Sequence, residues 1–228
     1  MEAVESFRRQ LLDGVKAELL ILNDNPDQHL TCKVPGVRIV QGMNPYRTLS
    51  DKWNAGVEMA SGRWIACWDD DDISLPARLS QSVEVIGGHD LFSNMWCWSM
   101  CDKRGVIDQI GRTWLCSSMF RRDAFIREGG CISDKWNDRV TYEALRKSMV
   151  SQSKPDYDRI QYVYRWAGEM HDSGHGEDAA LRVERFRAAV LNDSRFVRGE
   201  FELIPWWTMD YEAEVESAKQ RKVKVARE

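Results

Sequence analysis

Asp69, Asp70, Asp71 and Asp72 stand together directly after Arg63-Trp64-Ile65-Ala66-Cys67-Trp68, an apolar run that reads as a buried strand. Four carboxylates at a strand end repel one another strongly in a low-dielectric site unless a cation gathers them. A divalent metal carrying a phosphorylated substrate meets that need, and oxygen-rich sites suit Mg²⁺ or Mn²⁺. The run also reads as a solvated acidic turn opening a helix, because Asp is favoured at caps and near helix N-termini. Its surroundings decide between the two.

The rest of the chain alternates strand and helix patterns. Apolar positions at Val4, Phe7, Leu11, Leu12 and Val15 have helical spacing over residues 3–16. Glu18 to Leu22 reads as a strand stopped by Asn23-Asp24-Asn25-Pro26, and Val37 to Val40 as a second. Thr48 to Ser61 has helix composition, with Leu49, Trp53, Val57 and Ala60 on one face and Gly62 as terminator. Trp64 to Trp68 is the third strand. A helix follows from Leu75, with Pro76 near its first turn.

Further sheet is expected over Asp90–Met100, Gly105–Ile110 and Tyr162–Trp166, and helix over Arg121–Arg127, Val140–Met149 and Glu177–Asn192. The segment from Tyr211, polar and basic at its end, predicts a solvated or frayed helix. This alternation argues an α/β layered sheet, in which ligands collect beyond the carboxyl ends of the strands. Asn23-Asp24 and the acid run both fall at such ends. The boundaries predict one domain over residues 1–176 and a C-terminal helical extension over 177–228.

Bulk properties exclude several classes. A net charge of −4 gives no electrostatic footprint for general nucleic-acid binding. No apolar stretch approaches the roughly 20 residues of a bilayer span, and the first residues lack a signal-peptide pattern. The six cysteines are scattered without a CxxC pair, which points to a reducing, cytoplasmic setting and not to structural zinc. Counting from Asp69, the sixth residue is Ser74 and the twelfth Ser80, where an EF-hand loop needs Gly and Glu. A nucleotidyltransferase is disfavoured because the chain shows no early Gly-rich, Lys/Arg-bearing loop.

The order of the pieces resembles the family 2 glycosyltransferases with the GT-A fold. Glu18 to Asp24 is similar to that family's strand ending in an acidic residue, and Lys52 to Ile65 to its Asn-x-Gly helix and central strand. Trp68 to Leu79 is similar to its DxD strand end followed by Pro and an Arg-Leu helix. Phe120 to Phe125 followed by Gly129-Gly130 resembles the acceptor-side segment. Tyr164-Arg165-Trp166 followed by His171 resembles the late strand and loop that return a His to the metal. The likeness covers about residues 3–175. The family's domain begins with a strand and loop ahead of the helix placed at 3–16, and the expectation is that this chain lacks them.

The resemblance implies a GT-A-like nucleotide-diphospho-sugar transferase fold, a three-layer α/β/α sandwich with a mostly parallel central sheet. It implies metal-dependent, inverting transfer of a sugar from a UDP- or GDP-sugar to an acceptor that the sequence does not select. Asp69, Asp71 and His171 would be ligands to Mn²⁺ or Mg²⁺, with Asp69 also placed to hold the ribose. Asp70 should face the other way, since alternate strand residues do, and Asp72 should serve the fold. Asn23, Asp24, Lys52, Asn54 and Arg78 would bind the nucleotide-sugar, Asp24 reading the base. Asp138 would be the catalytic base, with Asp134 as the alternative. Trp136 and Trp166 are candidate sugar platforms, for which core packing is the stronger prior. The competing reading is a degenerate GT-A module that binds a nucleotide-sugar or a protein partner without catalysis.

Overall fold

The computed structural model describes residues 1–42, 46–101, 105–112, 115–132, 137–152, 154–166 and 198–225. Asp134, Trp136, His171, His175 and the helix expected over 177–192 lie outside the described residues.

Helix α1 (Glu2–Arg8) buries Val4 and Phe7 against the strand β1 (Leu19–Asn23). It stops well short of the expected residue 16, because tertiary bonds take over the backbone. The buried Gln10 side chain donates to the Leu75 carbonyl and accepts from the Leu79 amide, and the Leu11 amide donates to Pro76 O at 2.8 Å. Asp13 and Gly14 then turn the chain through left-handed φ values of 37° and 86°.

β1 pairs in parallel with β3 (Val37–Gln41), and β2 (Gln28–Thr31) lies between them in sequence. Helix α2 (Leu49–Met59) is capped by Thr48, whose Oγ1 accepts from the Asp51 amide at 3.0 Å. Leu49, expected on the inner face, is exposed. The neighbouring Ser50 takes the inward place and meets Cys131 Sγ at 3.3 Å.

β4 (Trp64–Ala66) ends two residues earlier than expected, so the acid run lies on the connection between it and β5 (Ile73–Ser74). α3 (Arg78–Ile86) begins two residues beyond Pro76. There follow β6 (Leu91–Ser93), β7 (Trp96–Cys101), β8 (Val106–Arg112), β9 (Met119–Arg121) and α4 (Arg122–Arg127). Then come α5 (Asn137–Leu145), one 3-10 turn (Arg146–Ser148), β10 (Met149–Ser151), β11 (Tyr162–Trp166), β12 (Gly199–Glu202) and α6 (Tyr211–Val225). Met149, expected in a helix, is in β10 because it pairs with Leu91 of β6.

The strand orders are β10-β6-β9-β4 and β5-β11-β7-β8, with β1-β3 and β12-β2 as parallel pairs. Parallel pairing also joins β10 to β6 and β11 to β7, while β9 and β5 pair antiparallel to their neighbours. The β5–β11 pairing, Ile73 opposite Val163 and Ser74 opposite Tyr162, lays the late strand directly against the end of the acid run.

α6 corrects the expectation of a solvated helix. Tyr211, Val215 and Ala218, at i, i+4 and i+7, are buried with Trp98, Ile107 and Val163. Each large apolar side chain buried this way contributes roughly 1.5–3 kcal/mol. The segment expected as a helical extension also contains β12, whose partner β2 belongs to the first part of the chain. Among the described residues, no helix is long and apolar enough to cross a membrane.

Candidate functional site

The acid run leaves β4 with its carboxylates in unequal surroundings. Asp70 is exposed, Asp69 and Asp71 are half-buried, and Asp72 is buried. Asp72 is locked inward: its Oδ2 accepts from the Tyr162 hydroxyl at 2.6 Å and its Oδ1 from the Arg165 amide at 2.8 Å. Burial pushes the Asp72 carboxyl up to about 7, although both bonds work to lower it. The same Tyr162 hydroxyl lies 3.1 Å from Asp69 Oδ2. Desolvation raises the Asp69 carboxyl, the charge of Asp71 raises it further, and the Tyr162 hydroxyl and Arg78 oppose them.

Arg78 is placed differently from the expectation that it reaches the donor. It is 2% exposed, with Nη1 on Ser74 Oγ at 2.6 Å and Nη2 on the Cys67 and Cys116 carbonyls at 2.8 and 2.6 Å. Its guanidinium also lies over the rings of Trp68 and Tyr162. Arg78 therefore braces the floor of the acid run. An Arg-Leu pair after a DxD-like run carries no sequence signal for that inward turn.

Asn23 is likewise spent on the protein. Its Nδ2 donates to Gln28 O and Gln41 Oε1 at 2.9 and 2.8 Å, and its Oδ1 accepts from the Asn25 amide at 3.2 Å. It shapes the turn after β1 instead of facing a ligand. Asp24, next along, stands at the strand end and accepts from Lys52 Nζ at 2.7 Å on Oδ1 and from the Tyr46 amide at 3.3 Å on Oδ2. Both side chains of that ion pair keep about a third or less of their surface exposed. Asp24 and Lys52 are thus brought together, one ordering the other.

Asn54 clamps a turn. Its Oδ1 accepts from the Cys131 amide at 2.8 Å and its Nδ2 donates to the Cys131 carbonyl at 3.0 Å. A Cβ on Gly130, which has φ +71°, would come within 2.6 Å of that Oδ1. Asn54 therefore ties α2 to the Gly129-Gly130 turn ahead of α5. Asp138 lies in the first turn of α5.

Three residues outside the expected site join the acid run. Tyr162 and Arg165 come from β11, and Glu2 from α1 accepts from Arg165 Nη1 at 2.5 Å. Tyr162 and Arg165, three positions apart, lie on a strand that the sequence pattern locates, but their meeting with the acid run comes from the β5–β11 register, and neither that register nor the approach of Glu2 carries a local signal.

The donor set at Asp69 and Asp71 suits a hard divalent cation: carboxylate oxygens on two half-buried side chains, one raised by the charge of the other. Among the described residues, no group of three or more His, Cys, Asp or Glu side chains is gathered to hold a metal. Burial pushes the Cys67 thiol well up, so it is no nucleophile at neutral pH. A pocket of ≈ 210 Å³ lies beside Arg78, lined among others by Gln81, Phe92, Asn94, Gln152 and Arg159. The acid run does not line it.

No curated protein sequence matches the chain. Among solved structures, TarS 1–349 of S. aureus in complex with UDP-GlcNAc superposes with a TM-score of 0.59 at 13% identity, covering 82% of this chain and 60% of that one. The same protein in complex with UDP gives 0.52 at 13% identity, covering 73% and 57%. A structure of TarS gives 0.52 at 14% identity, covering 83% and 37%. The chain thus spans between 37% and 60% of the length of these neighbours, and at such identities they show the fold alone. The family model described as glycosyl transferase family 2 matches residues 1–127. With 127 of its 228 residues under that model, the chain belongs to glycosyl transferase family 2, and its α/β architecture is of the GT-A type.

Proposed function

We propose that the chain transfers a sugar from a nucleotide-diphosphate sugar to an acceptor, with a UDP-sugar as the first donor class to test. The observation that carries this reading is the unequal acid run. Asp72 is locked inward by Tyr162 and Arg165, while Asp69 and Asp71 remain at the strand exit where donors bind in α/β sheets. Neighbours of the same fold are TarS structures in complex with UDP and UDP-GlcNAc, which supports a uridine nucleotide.

In this reading Asp24, ordered by Lys52, faces the base, and Asp69 and Asp71 face the diphosphate. A bound Mn²⁺ or Mg²⁺ would supply positive charge against the charge that develops on the leaving diphosphate, held by Asp69, Asp71 and His171. Asp138 takes the proton of the acceptor. The acceptor atom bonds to the anomeric carbon as the bond from that carbon to the diphosphate oxygen breaks, with inversion, and the nucleoside diphosphate leaves. Asn54, holding the turn that precedes α5, keeps the Asp138 helix in place.

Thermal melting with UDP or GDP, with and without Mn²⁺, tests the site. Stabilisation by UDP that requires Mn²⁺ and disappears in Asp71→Ala is the expected result. Equal stabilisation in the variant would sink the assignment of Asp71. Release of UDP from a panel of UDP-sugars should be lost in Asp138→Asn. Binding by the wild type without any turnover would identify a binding module instead.

A further inference from the structure

The pocket of ≈ 210 Å³ beside Arg78 has no part in the proposed reaction, and its walls come from separate parts of the chain. Arg78, Gln81, Ser82 and Val85, at i, i+3, i+4 and i+7, give it one face of α3. Phe92 and Asn94 come from the end of β6, and Ser151 and Gln152 from the end of β10. These two strands are parallel, so the pocket lies at their carboxyl ends, where ligands of α/β sheets collect. Asp156 and Arg159, on the connection to β11, complete it.

Two side-chain amides in this pocket are left to an outside partner. Asn94 is 4% exposed, and its Oδ1 accepts from the Trp96 amide at 3.4 Å. Among the described residues, nothing accepts from its Nδ2. Gln81, half-buried on α3, makes no side-chain hydrogen bond among the described residues. A polar group buried as deeply as Asn94 costs free energy unless something pairs with it. The cations, by contrast, are engaged. Arg78 gives its guanidinium to Ser74, Cys67 and Cys116, and Arg159 Nε lies 3.8 Å from Asp156 Oδ2.

An amide presents both a donor and an acceptor, and a hydroxyl can use either. Free amides beside the apolar surfaces of Phe92 and Val85 therefore suit a polyhydroxylated ring with an apolar face. They do not suit an anion, for which the described lining offers no uncommitted cation. The volume falls below the roughly 300–1,000 Å³ of pockets that take drug-sized ligands, so it holds a single ring and not a nucleotide-sugar.

We propose that this pocket binds one uncharged sugar unit, apart from the donor site. Asn94 and Gln81 bond its hydroxyls, and its apolar face lies toward Phe92 and Val85. This goes beyond the proposed function and does not depend on a cation at the acid run.

Saturation-transfer NMR on the full chain with methyl glycosides of glucose, galactose, mannose and N-acetylglucosamine tests it. At least one should bind, equally well with Mn²⁺ and UDP present and in folded Asp71→Ala. Gln81→Ala and Asn94→Leu should weaken binding about threefold to tenfold, the worth of one or two hydrogen bonds. Val85→Trp, which fills the pocket, should abolish it. If Asn94→Leu or Val85→Trp does not fold, Gln81→Ala on the half-buried helix face decides. Tighter binding of a tetrasaccharide than of its methyl glycoside supports the pocket with a glycan chain as the source, and equal binding supports it with a free sugar. No binding by the folded wild type, or wild-type affinity in folded Gln81→Ala, overturns the inference. Competition by UDP, or loss in folded Asp71→Ala, puts the sugar in the donor site and overturns it. Competition by inorganic phosphate marks an anion pocket and overturns it as well. Sugar binding without Mn²⁺-dependent stabilisation by UDP supports the pocket and sinks the proposed function alone.

Discussion

The Tyr162 hydroxyl donates to Asp72 Oδ2 at 2.6 Å, tying the late strand to the last residue of the acid run. Burial and the charge of Asp69 push the phenol well above its ordinary value, so Tyr162 remains protonated and a donor. It has one proton for two carboxylates, and the shorter distance assigns it to Asp72. Tyr162→Phe removes that bond and leaves the Arg165 amide to serve a buried carboxyl. A loss of about 1–3 kcal/mol at pH 7 is expected by urea unfolding, the cost of an under-satisfied buried polar group. A change within about 0.5 kcal/mol, typical of an unimportant surface site, would contradict the bond's role.

Asn54 and Gly130 form one joint. Asn54→Ala takes both of its bonds from Cys131, and should cost about 1–3 kcal/mol. Gly130→Ala places a Cβ against Asn54 Oδ1 and forces a left-handed φ that costs about 1–2 kcal/mol by itself. The two together should destabilise by less than the sum of the single changes, because the second change acts on a joint already broken. Strict additivity in a double-mutant cycle would argue against the joint.

Glu5 sets an acid limit on stability. Hydrogen bonds from Arg8 and then Arg9, against burial, hold its carboxyl at about 2 where 4.5 is ordinary. A group depressed on folding stabilises fully above its unfolded value, and that contribution is lost as pH falls from about 4.5 toward about 2. Glu5→Gln should therefore be less stable than the wild type at pH 7, and the gap should close with acidification over that window. Chemical unfolding at several pH values reads the difference. A constant gap would remove Glu5 from the account.

Asp24 and Lys52 are partly exposed, so their ion pair contributes under about 1 kcal/mol to stability. Asp24→Ala should barely move the melting temperature of the free protein. In the proposed function it should nevertheless reduce the stabilisation by UDP, because a group facing the base is lost and Lys52 loses its anchor. Undiminished UDP stabilisation in this variant would place base recognition elsewhere.

Much of the fold was legible in local pattern. Period-two and buried runs located β1, β3 and β11 within a residue or two, and helix composition from Thr48 located the start of α2. The acid run beyond a strand was also legible, and Asp72 is bound into the fold, whereas Asp70 is exposed on the connection after β4, where strand alternation does not set its direction. Side-chain destinations were harder. Arg78, Asn23 and Asn54 all have polar groups that suit a diphosphate or a ribose as well as they suit a backbone carbonyl. Their partners are Cys67, Cys116, Gln28, Gln41 and Cys131, and only the folded chain brings those within reach.

The order of the motifs carried the resemblance to the family. Residue type and spacing by themselves determined the α/β alternation and the placing of carboxylates beyond a strand. These follow from short-range periodicity, which each segment carries alone. Tertiary structure alone decided where α1 ends, that α6 docks through Tyr211, Val215 and Ala218, and that Glu2 and Arg165 stand behind Asp71. Each of those outcomes is a satisfied buried polar group or a covered apolar face whose partner lies far along the chain. Such pairings are set by the β5–β11 register and the packing of the two end helices, and no local pattern encodes them.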